Sequence, residues 1–380
     1  MKKVSKKRSE TPIQGAVLDR LRSLTEQSSP GSKLPTVRKL IADFGVGQHV
    51  VQAALDKLRN EGLITSHVGK GTFVGRAGVV KPRTRSVLTL LYENPYLRGD
   101  VIARILHQRL SIDGHESLML TYSNAAHVMD ILRSGARYDA AILQPRASAM
   151  SVSLLALLKQ RAEHVLIEGY AGDHLDVDSV SNDPAHTVEL IVDHLFGLGH
   201  RRIAWITEDA GNYFFRRTAE LFRAYCHGAG RPVPECPVIF APTDPHRLGI
   251  VNLAASIQRL TGGGKTLPFT ALVFASFVDG RAIVEALRAC GLETPNDVAV
   301  VRLGTPDLES DHMGHLTIAG RSSAQAANTV LDRLQWRWNN PSELYRSYYD
   351  TPTLSVLGST ANRPGADTQL LRRAKRETHV

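Results

Sequence analysis

Gln48, His49 and Gln52 stand at the start of a short helical pattern and carry no catalytic partners nearby. Their chemistry is recognition. A glutamine amide bonds bidentately to the edge of adenine, and an imidazole donates or accepts at a guanine edge. Lys57, Arg59 and Lys70 surround them, Lys70 lying in the run Gly69-Lys70-Gly71-Thr72. Such cations suit phosphates, which supply affinity and salt dependence but little sequence choice. Arg38 fits either role. The alternative for Gln48, His49 and Gln52 is a solvated helix face.

Motifs for bond-making chemistry are poorly met. Thr261-Gly262-Gly263-Gly264-Lys265-Thr266 resembles a phosphate loop, but the glycine required five residues before Gly264 is Arg259. His186 and His194 fall on one predicted helix without the glutamate-flanked histidine pair of a zinc site. No GxSxG nucleophile elbow occurs. Cys226, Cys236 and Cys290 form no CxxC pair and read as small buried or half-buried thiols. No metal, no cofactor and no catalysis are expected.

Charge is divided unevenly along the 380 residues, whose net charge is +9. Residues 1–85 hold 17 Lys or Arg against 6 Asp or Glu; the remainder holds 29 against 31. A basic module on a near-neutral body implies a polyanion partner for the module alone. Lys2, Lys3, Lys6, Lys7 and Arg8 belong to an arm, yet the module stays basic without them. The N-terminus lacks the apolar run of a signal peptide, and Thr270–Val278 is too short to span a bilayer. The expected setting is cytoplasmic, with no membrane contact.

The elements that must position these residues follow from periodicity. Residues 1–9 read as a flexible basic arm. Ile13, Val17, Leu21 and Leu24 define a first helix ending near Thr25. Thr36 caps a second that stops at Phe44-Gly45, and a third runs from Gln48 to Asn60. Leu63–Val68 and Thr72–Val74 form a hairpin. Three helices and a basic-tipped hairpin make a winged helix-turn-helix over 10–75. Residues 76–85 read as a linker. Over 86–360, eight short apolar strands from Val87–Tyr92 to Val298–Val301 alternate with amphipathic helices, giving α/β architecture with parallel sheets in two lobes. Residues 361–380 read as a flexible tail.

The first part resembles the GntR family. Leu34-Pro35-Thr36-Val37-Arg38-Lys39-Leu40, Gly45-Val46, Ala54-Leu55-x-x-Leu58, Glu61-Gly62-Leu63-Ile64 and Gly69-x-Gly71-Thr72-Phe73-Val74 carry the likeness. By that resemblance, Arg38, Gln48, His49, Gln52 and the wing at Gly69 to Thr72 touch DNA. The family's usual serine-arginine-threonine is Gly47-Gln48-His49 here, and a common arginine is Gln52. Fewer charges at the base-reading face bear on the usual operator sequence, not on DNA binding itself.

Residues 86–360 resemble the LacI/GalR-type effector domain, which shares the periplasmic-binding-protein-like fold. Asn94-Pro95-Tyr96, Asp139-Ala140-Ala141-Ile142-Leu143, Leu198-Gly199-His200-Arg201-Arg202-Ile203-Ala204 and Pro295-x-Asp297-Val298-Ala299 carry this likeness. The two domains together resemble the architecture of the arabinose repressor. The resemblance implies a ligand cleft and assigns to it Asn94, Tyr96, Arg217, Thr218, Ser276, Phe277 and Gly304. It also implies three chain crossings, with an N-lobe of 86–180 plus 313–343 and a C-lobe of 181–312 plus a strand near Leu354–Leu357. Ser276-Phe277 replaces the usual Asn-Asp, and Gly304 replaces a further acid. Losing both carboxylates argues against an ordinary monosaccharide, since they suit hydroxyl-rich ligands. Phe277 and Tyr96 offer stacking surface instead, or Phe277 is plain core.

The reading is a dimeric, sequence-specific regulator of transcription, a repressor rather than an activator. Its partners are a near-palindromic double-stranded operator, a small-molecule effector that is sugar-like or more apolar, and a second copy of itself. The alternatives are a small-molecule binding protein, a ligand-independent dimer with a degenerate cleft, and an enzyme on the two-lobed scaffold.

Overall fold

The computed structural model describes residues 12–29, 31–60, 62–67, 71–74, 84–93, 97–145, 150–172, 175–208, 212–230, 235–243, 252–260 and 267–360. The chain divides into two compact units, Met1–Thr84 and Arg85–Val380.

In the first unit, α1 (Pro12–Glu26), α2 (Val37–Phe44) and α3 (Gln48–Asn60) precede the antiparallel strands β1 (Ile64–His67) and β2 (Gly71–Val74). The Thr36 hydroxyl accepts from the Lys39 amide and caps α2. Gly45 ends it at φ 66°, a left-handed conformation that a side chain disfavours. That stop turns the chain directly into α3. Leu21, Leu40, Val51, Leu55, Leu58 and Ile64 bury together, so one face of each helix is fixed by the others. Beyond the sequence reading, the segment before α2 pairs with the hairpin: Leu34 N–H donates to the Thr72 carbonyl at 2.8 Å and Val74 N–H to that of Ser32 at 2.8 Å.

The second unit holds two six-stranded sheets. The N-lobe runs β3 (Ser86–Tyr92), α4 (Arg98–Ile112), β4 (Glu116–Tyr122), α5 (Ala125–Ser134), β5 (Tyr138–Gln144), α6 (Val152–Arg161), β6 (Ala162–Glu168) and β7 (Asp178–Asn182). The C-lobe follows with α7 (Pro184–Gly197), β8 (Ile203–Glu208), α8 (Tyr213–Gly228), β9 (Val238–Ala241), α9 (Leu253–Arg259), β10 (Ala271–Ala275), α10 (Gly280–Ala289), β11 (Ala299–Leu303), α11 (Glu309–His312) and β12 (Thr317–Gly320). The chain then returns to the N-lobe with α12 (Ser323–Asn339) and β13 (Ser347–Asp350), and ends in the C-lobe with β14 (Thr353–Ser355).

The N-lobe sheet order is β13-β7-β6-β5-β3-β4, every pair parallel. The C-lobe order is β14-β12-β11-β10-β8-β9, parallel except for β12 with β14. Both faces of each sheet are covered: α5 and α6 oppose α4 and α12 in the N-lobe, and α7 and α8 oppose α9 and α10 in the C-lobe. The α/β, parallel-sheet expectation therefore holds.

The chain crosses between lobes three times, at Asn182–Pro184, Gly320–Ser323 and Asp350–Thr353. One lobe boundary needs correction. Residues 317–320, expected in the N-lobe, form β12 beside β11, and the N-lobe gains β13 at its edge instead. Thr317-Ile318-Ala319 is too short and too plain to declare which sheet it joins; its neighbours decide that.

A buried ionic cluster secures β13. The Asp178 carboxylate accepts from Arg333 Nη2 at 2.7 Å, Arg337 Nε at 2.7 Å and the Arg346 amide at 3.0 Å. Arg337 also donates to the carbonyls of Glu343 and Leu344, closing the turn after α12. Burial pushes the Asp178 pKa up, but the hydrogen bonds from Arg337, Arg333 and the Arg346 amide outweigh it and hold the carboxyl below its ordinary range. Asp178→Ala leaves two buried guanidiniums uncompensated and should lower stability by about 3 kcal/mol in urea unfolding. A depressed carboxylate stabilises above its unfolded pKa, so the difference from the parent protein should vanish as acid protonates Asp178.

Candidate functional site

Two surfaces gather the candidate residues. On the first unit, Gln48 and His49 are exposed in the opening turn of α3, Gln52 is half-buried one turn later, and Lys57 is exposed. Arg38 is exposed near the start of α2. Thr72 is half-buried, with its hydroxyl 3.1 Å from that of Ser66 across the hairpin. Gly71 has φ 110°, and a Cβ there would meet Lys33 Cε at 2.6 Å, so this turn needs glycine. Gly69 and Lys70 lie outside the described residues.

In the second unit, a cleft of about 430 Å³ opens between the lobes at the carboxyl ends of the strands. That volume suits a small molecule, and that location is where open parallel sheets bind ligands. Its two walls differ. The N-lobe wall is polar, built on Arg98, Gln144, Glu168, Ser181, Asn182 and Arg321. The C-lobe wall is aromatic, built on Tyr213, Phe214, Phe215 and Phe277. Phe215 and Phe277 pack edge to face with centroids 5.0 Å apart. Tyr170 of the N-lobe and Tyr213 of the C-lobe come within 6.2 Å of each other.

The polar wall centres on Glu168, the last residue of β6 and 2% exposed. Arg98 Nη2 donates to Glu168 Oε1 at 2.9 Å, and Gln144 Nε2 donates to Oε2 at 2.9 Å. Arg321 pairs with the same Oε1 and, through its other nitrogen, with Asp350. Burial pushes the Glu168 pKa up, but Arg98 and Arg321 outweigh it, so the carboxylate stays ionised well below its usual range. Gln144 Oε1, Asn182 Oδ1 and Arg321 Nε are buried without protein partners. Two acceptors and one donor are thus left for a bound molecule or water.

Ser276, Phe277, Arg217 and Gly304 all line the cleft. Arg217 is half-exposed and 3.2 Å from Glu220. Gly304 lines it with backbone only. A Cβ there would strike the Arg302 guanidinium and lie 2.7 Å from Asp311 Oδ2. The fully buried Arg302–Asp311 ion pair at 2.6 Å fills the space behind the residue. Thr218 is a correction. Helix α8 begins at Tyr213, so Thr218 falls in its second turn, fully buried, donating to the Phe215 carbonyl at 2.9 Å. Phe215 lines the cleft in its place. Asn94 and Tyr96 lie outside the described residues.

Sequence reading missed Arg98, Gln144, Glu168, Asn182 and Arg321. One signal was available: Gln144 and Glu168 are the first polar residues after the apolar runs Ala140–Leu143 and Val165–Ile167. Parallel strands deliver such residues to the ligand edge of a sheet. His186 and His194 make no pair: the His186 amide serves the Asp183 cap, and His194 Nε2 lies 2.9 Å from Thr360 Oγ1. Among the described residues, no group of three His, Cys, Asp or Glu is placed to hold a metal ion, and no helix is long and apolar enough to cross a membrane.

Beneath the aromatic wall, Glu208 accepts the Phe277 amide through Oε1, and its buried Oε2 has no partner. Burial pushes its pKa from 4.5 up to about 7, against the lowering effect of the Phe277 amide. A raised carboxyl pKa favours folding while the group stays protonated. That stabilisation is complete below 4.5 and lost as pH rises through about 7. Glu208→Gln should therefore be more stable than the parent at pH 8 by roughly 2 kcal/mol, with the gap closing toward pH 5, as read by urea unfolding at each pH.

Residues 14–74 match "Bacterial regulatory proteins, gntR family". Residues 107–259 match "Periplasmic binding proteins and sugar binding domain of LacI family", and residues 192–353 match "Periplasmic binding protein-like domain". The chain is 24% identical over 294 residues to the arabinose metabolism transcriptional repressor of Geobacillus stearothermophilus, covering 73% of this chain and 77% of that protein. A LacI family transcriptional regulator from Enterococcus faecium with bound ribose superposes with a TM-score of 0.58 at 15% identity, over 74% of this chain and 100% of that one. The lac repressor dimer bound to operator and the anti-inducer ONPF gives 0.59 at 15% identity, over 74% of this chain and 96% of that one. The second unit thus has the fold of these two solved regulators, and the chain joins a segment matched by the gntR family model to a longer one matched by the periplasmic-binding-protein models.

Proposed function

We propose that this protein is a transcription repressor that binds operator DNA through its gntR-type domain and changes its DNA affinity when a small molecule occupies the interlobe cleft. One observation carries the reading: a segment of gntR type and a ligand-sized cleft with unpartnered buried polar atoms belong to the same chain. Supporting it, the Geobacillus stearothermophilus relative is named a transcriptional repressor and aligns over most of its length. Solved proteins of the second unit's fold carry ribose or an operator with anti-inducer.

In this reading residues 10–75 bind DNA, 76–85 link, and 86–360 bind ligand and dimerise, with 1–9 and 361–380 as arm and tail. The protein works as a cytoplasmic homodimer, each winged helix taking one half-site of a near-palindromic operator. Gln48, His49 and Gln52 read bases. Arg38, Lys57 and the wing from Gly69 to Thr72 hold the backbone. The ligand is sugar-like or more apolar, laid between the aromatic and polar walls, and reaches Asn94, Tyr96, Arg217, Ser276 and Phe277. It acts on DNA only to the extent that it binds the two lobe arrangements differently. The ligand is sensed and not turned over.

Selection of bound sequences from a random double-stranded pool should recover a near-palindromic motif. Arg38→Ala should weaken binding to that motif and reduce the slope of log affinity against log salt by about 1, leaving ligand binding unchanged. Asn182→Ala, which removes an unpartnered cleft acceptor and leaves the Glu168–Arg321 pair in place, should keep operator affinity but weaken the response to the effector. Absence of any motif, with and without a panel of pentoses, hexoses and nucleosides, would remove this reading.

A further inference from the structure

Asp56 is out of place on a DNA-facing helix. It follows Gln52 by one turn on the accessible side of α3, where a carboxylate repels phosphates. Its contacts give it another task. Asp56 Oδ1 accepts Gln52 Nε2 at 3.3 Å and Arg59 Nη1 at 2.7 Å. Arg59 Nη2 donates to Ser66 Oγ at 3.1 Å, and that hydroxyl lies 3.1 Å from Thr72 Oγ1. One chain of hydrogen bonds runs from Gln52 through Asp56 and Arg59 to both strands of the wing.

We propose that Asp56 is a positioning residue that sets which way the Gln52 amide faces and so fixes the base this position selects; the inference rests on the first unit reading DNA. A free glutamine amide rotates by half a turn and exchanges its donor and acceptor. An ionised carboxylate only accepts, so Asp56 holds the nitrogen toward itself and disfavours the flipped amide. The second N–H and Oε1 remain. Together they match adenine, whose N7 accepts and whose N6 amine donates. Asp56 also occupies Arg59, which keeps that cation from adding sequence-blind phosphate affinity. The acid thus sharpens base choice at the cost of total affinity.

The test compares the full-length parent, Gln52→Ala, Asp56→Ala and Asp56→Asn, each by selection from a random double-stranded pool and by titration with random-sequence DNA. Asp56→Ala should lose, by roughly three- to tenfold, the preference at the base pair per half-site that Gln52→Ala also loses. Its affinity for random DNA should rise. In Asp56→Asn the Arg59 guanidinium, which shares the Oδ1 position with Gln52, keeps an oxygen turned toward both, so this variant should retain most of the base preference, yet gain random-DNA affinity as Asp56→Ala does. A structural role alone would not separate these two readouts. The proposal is overturned if Asp56→Ala keeps the preference, if Asp56→Asn loses it as fully, or if Gln52→Ala changes no base. A parent protein that selects no motif removes the DNA-reading function itself, an outcome distinct from all three.

Discussion

The two-lobed unit turns on one buried guanidinium. Arg321 sits on the second crossover, 1% exposed, and pairs with Glu168 at the end of β6 and with Asp350 at the third crossover. The Asp350 carbonyl accepts the Asp183 amide of the first crossover at 3.2 Å. All three crossings are therefore joined through a single cation and its partners. Burying that charge is costly, and burial is the largest influence depressing the Arg321 pKa. Two carboxylates offset the cost, and their positions are in turn fixed by Arg98, Gln144 and Thr329. Such a node holds because every member is needed; removal of one strands the others.

This node also forms part of the cleft wall, so the cleft lining and the crossovers share residues. A molecule that bonds to Arg98, to Gln144 Oε1 or to Arg321 Nε alters the same network that holds the crossovers. The opposite wall contributes differently. Its aromatic rings give apolar area and edge-to-face packing, without charge. The absence of an acid at Gly304 has a local cause: Arg302 and Asp311 already fill that volume as a buried pair, with the Thr305 amide donating to Asp311 at 2.8 Å. The carboxylate here, Asp311, lies in the layer behind the cleft surface. Discrimination there falls to shape and to the remaining neutral acceptors.

Much of this was legible in the sequence where local chemistry decides it. The Thr36 cap, the Gly45 stop and the 3.6-residue periodicity of α3 each act over a few residues, and the first unit matches its reading closely. The alternation of strand and helix likewise announces parallel sheets. What failed to show depends on distant partners. Residues 317–320 carry no mark of the lobe they join. Thr218 was misplaced because α8 starts early: Asn212 caps it through the Phe215 amide at 3.2 Å, and an Asn followed by aromatics did not declare a helix start. Glu168, Arg98 and Arg321 are separated by 70 and 153 residues, so no spacing in the chain reveals their meeting.

The distribution of charge completes the argument for why one protein needs both units. Under the proposed function, the cations of the first 85 residues supply affinity for any DNA, and this term weakens steeply with salt. On the same reading, base choice is left to a few side chains that are neutral or, like Asp56, opposed to DNA. Coupling between ligand and operator typically amounts to about 1–3 kcal/mol, or 5- to 150-fold in affinity. A shift of that size switches occupancy fully only if the unliganded and liganded states fall on opposite sides of half-saturation. An excess of phosphate-binding charge would push it far beyond that point and make the ligand irrelevant. In the proposed regulator, a neutral α3 face and an acid that ties up Arg59 would therefore serve regulation as much as specificity, by holding DNA affinity within the range that the cleft controls.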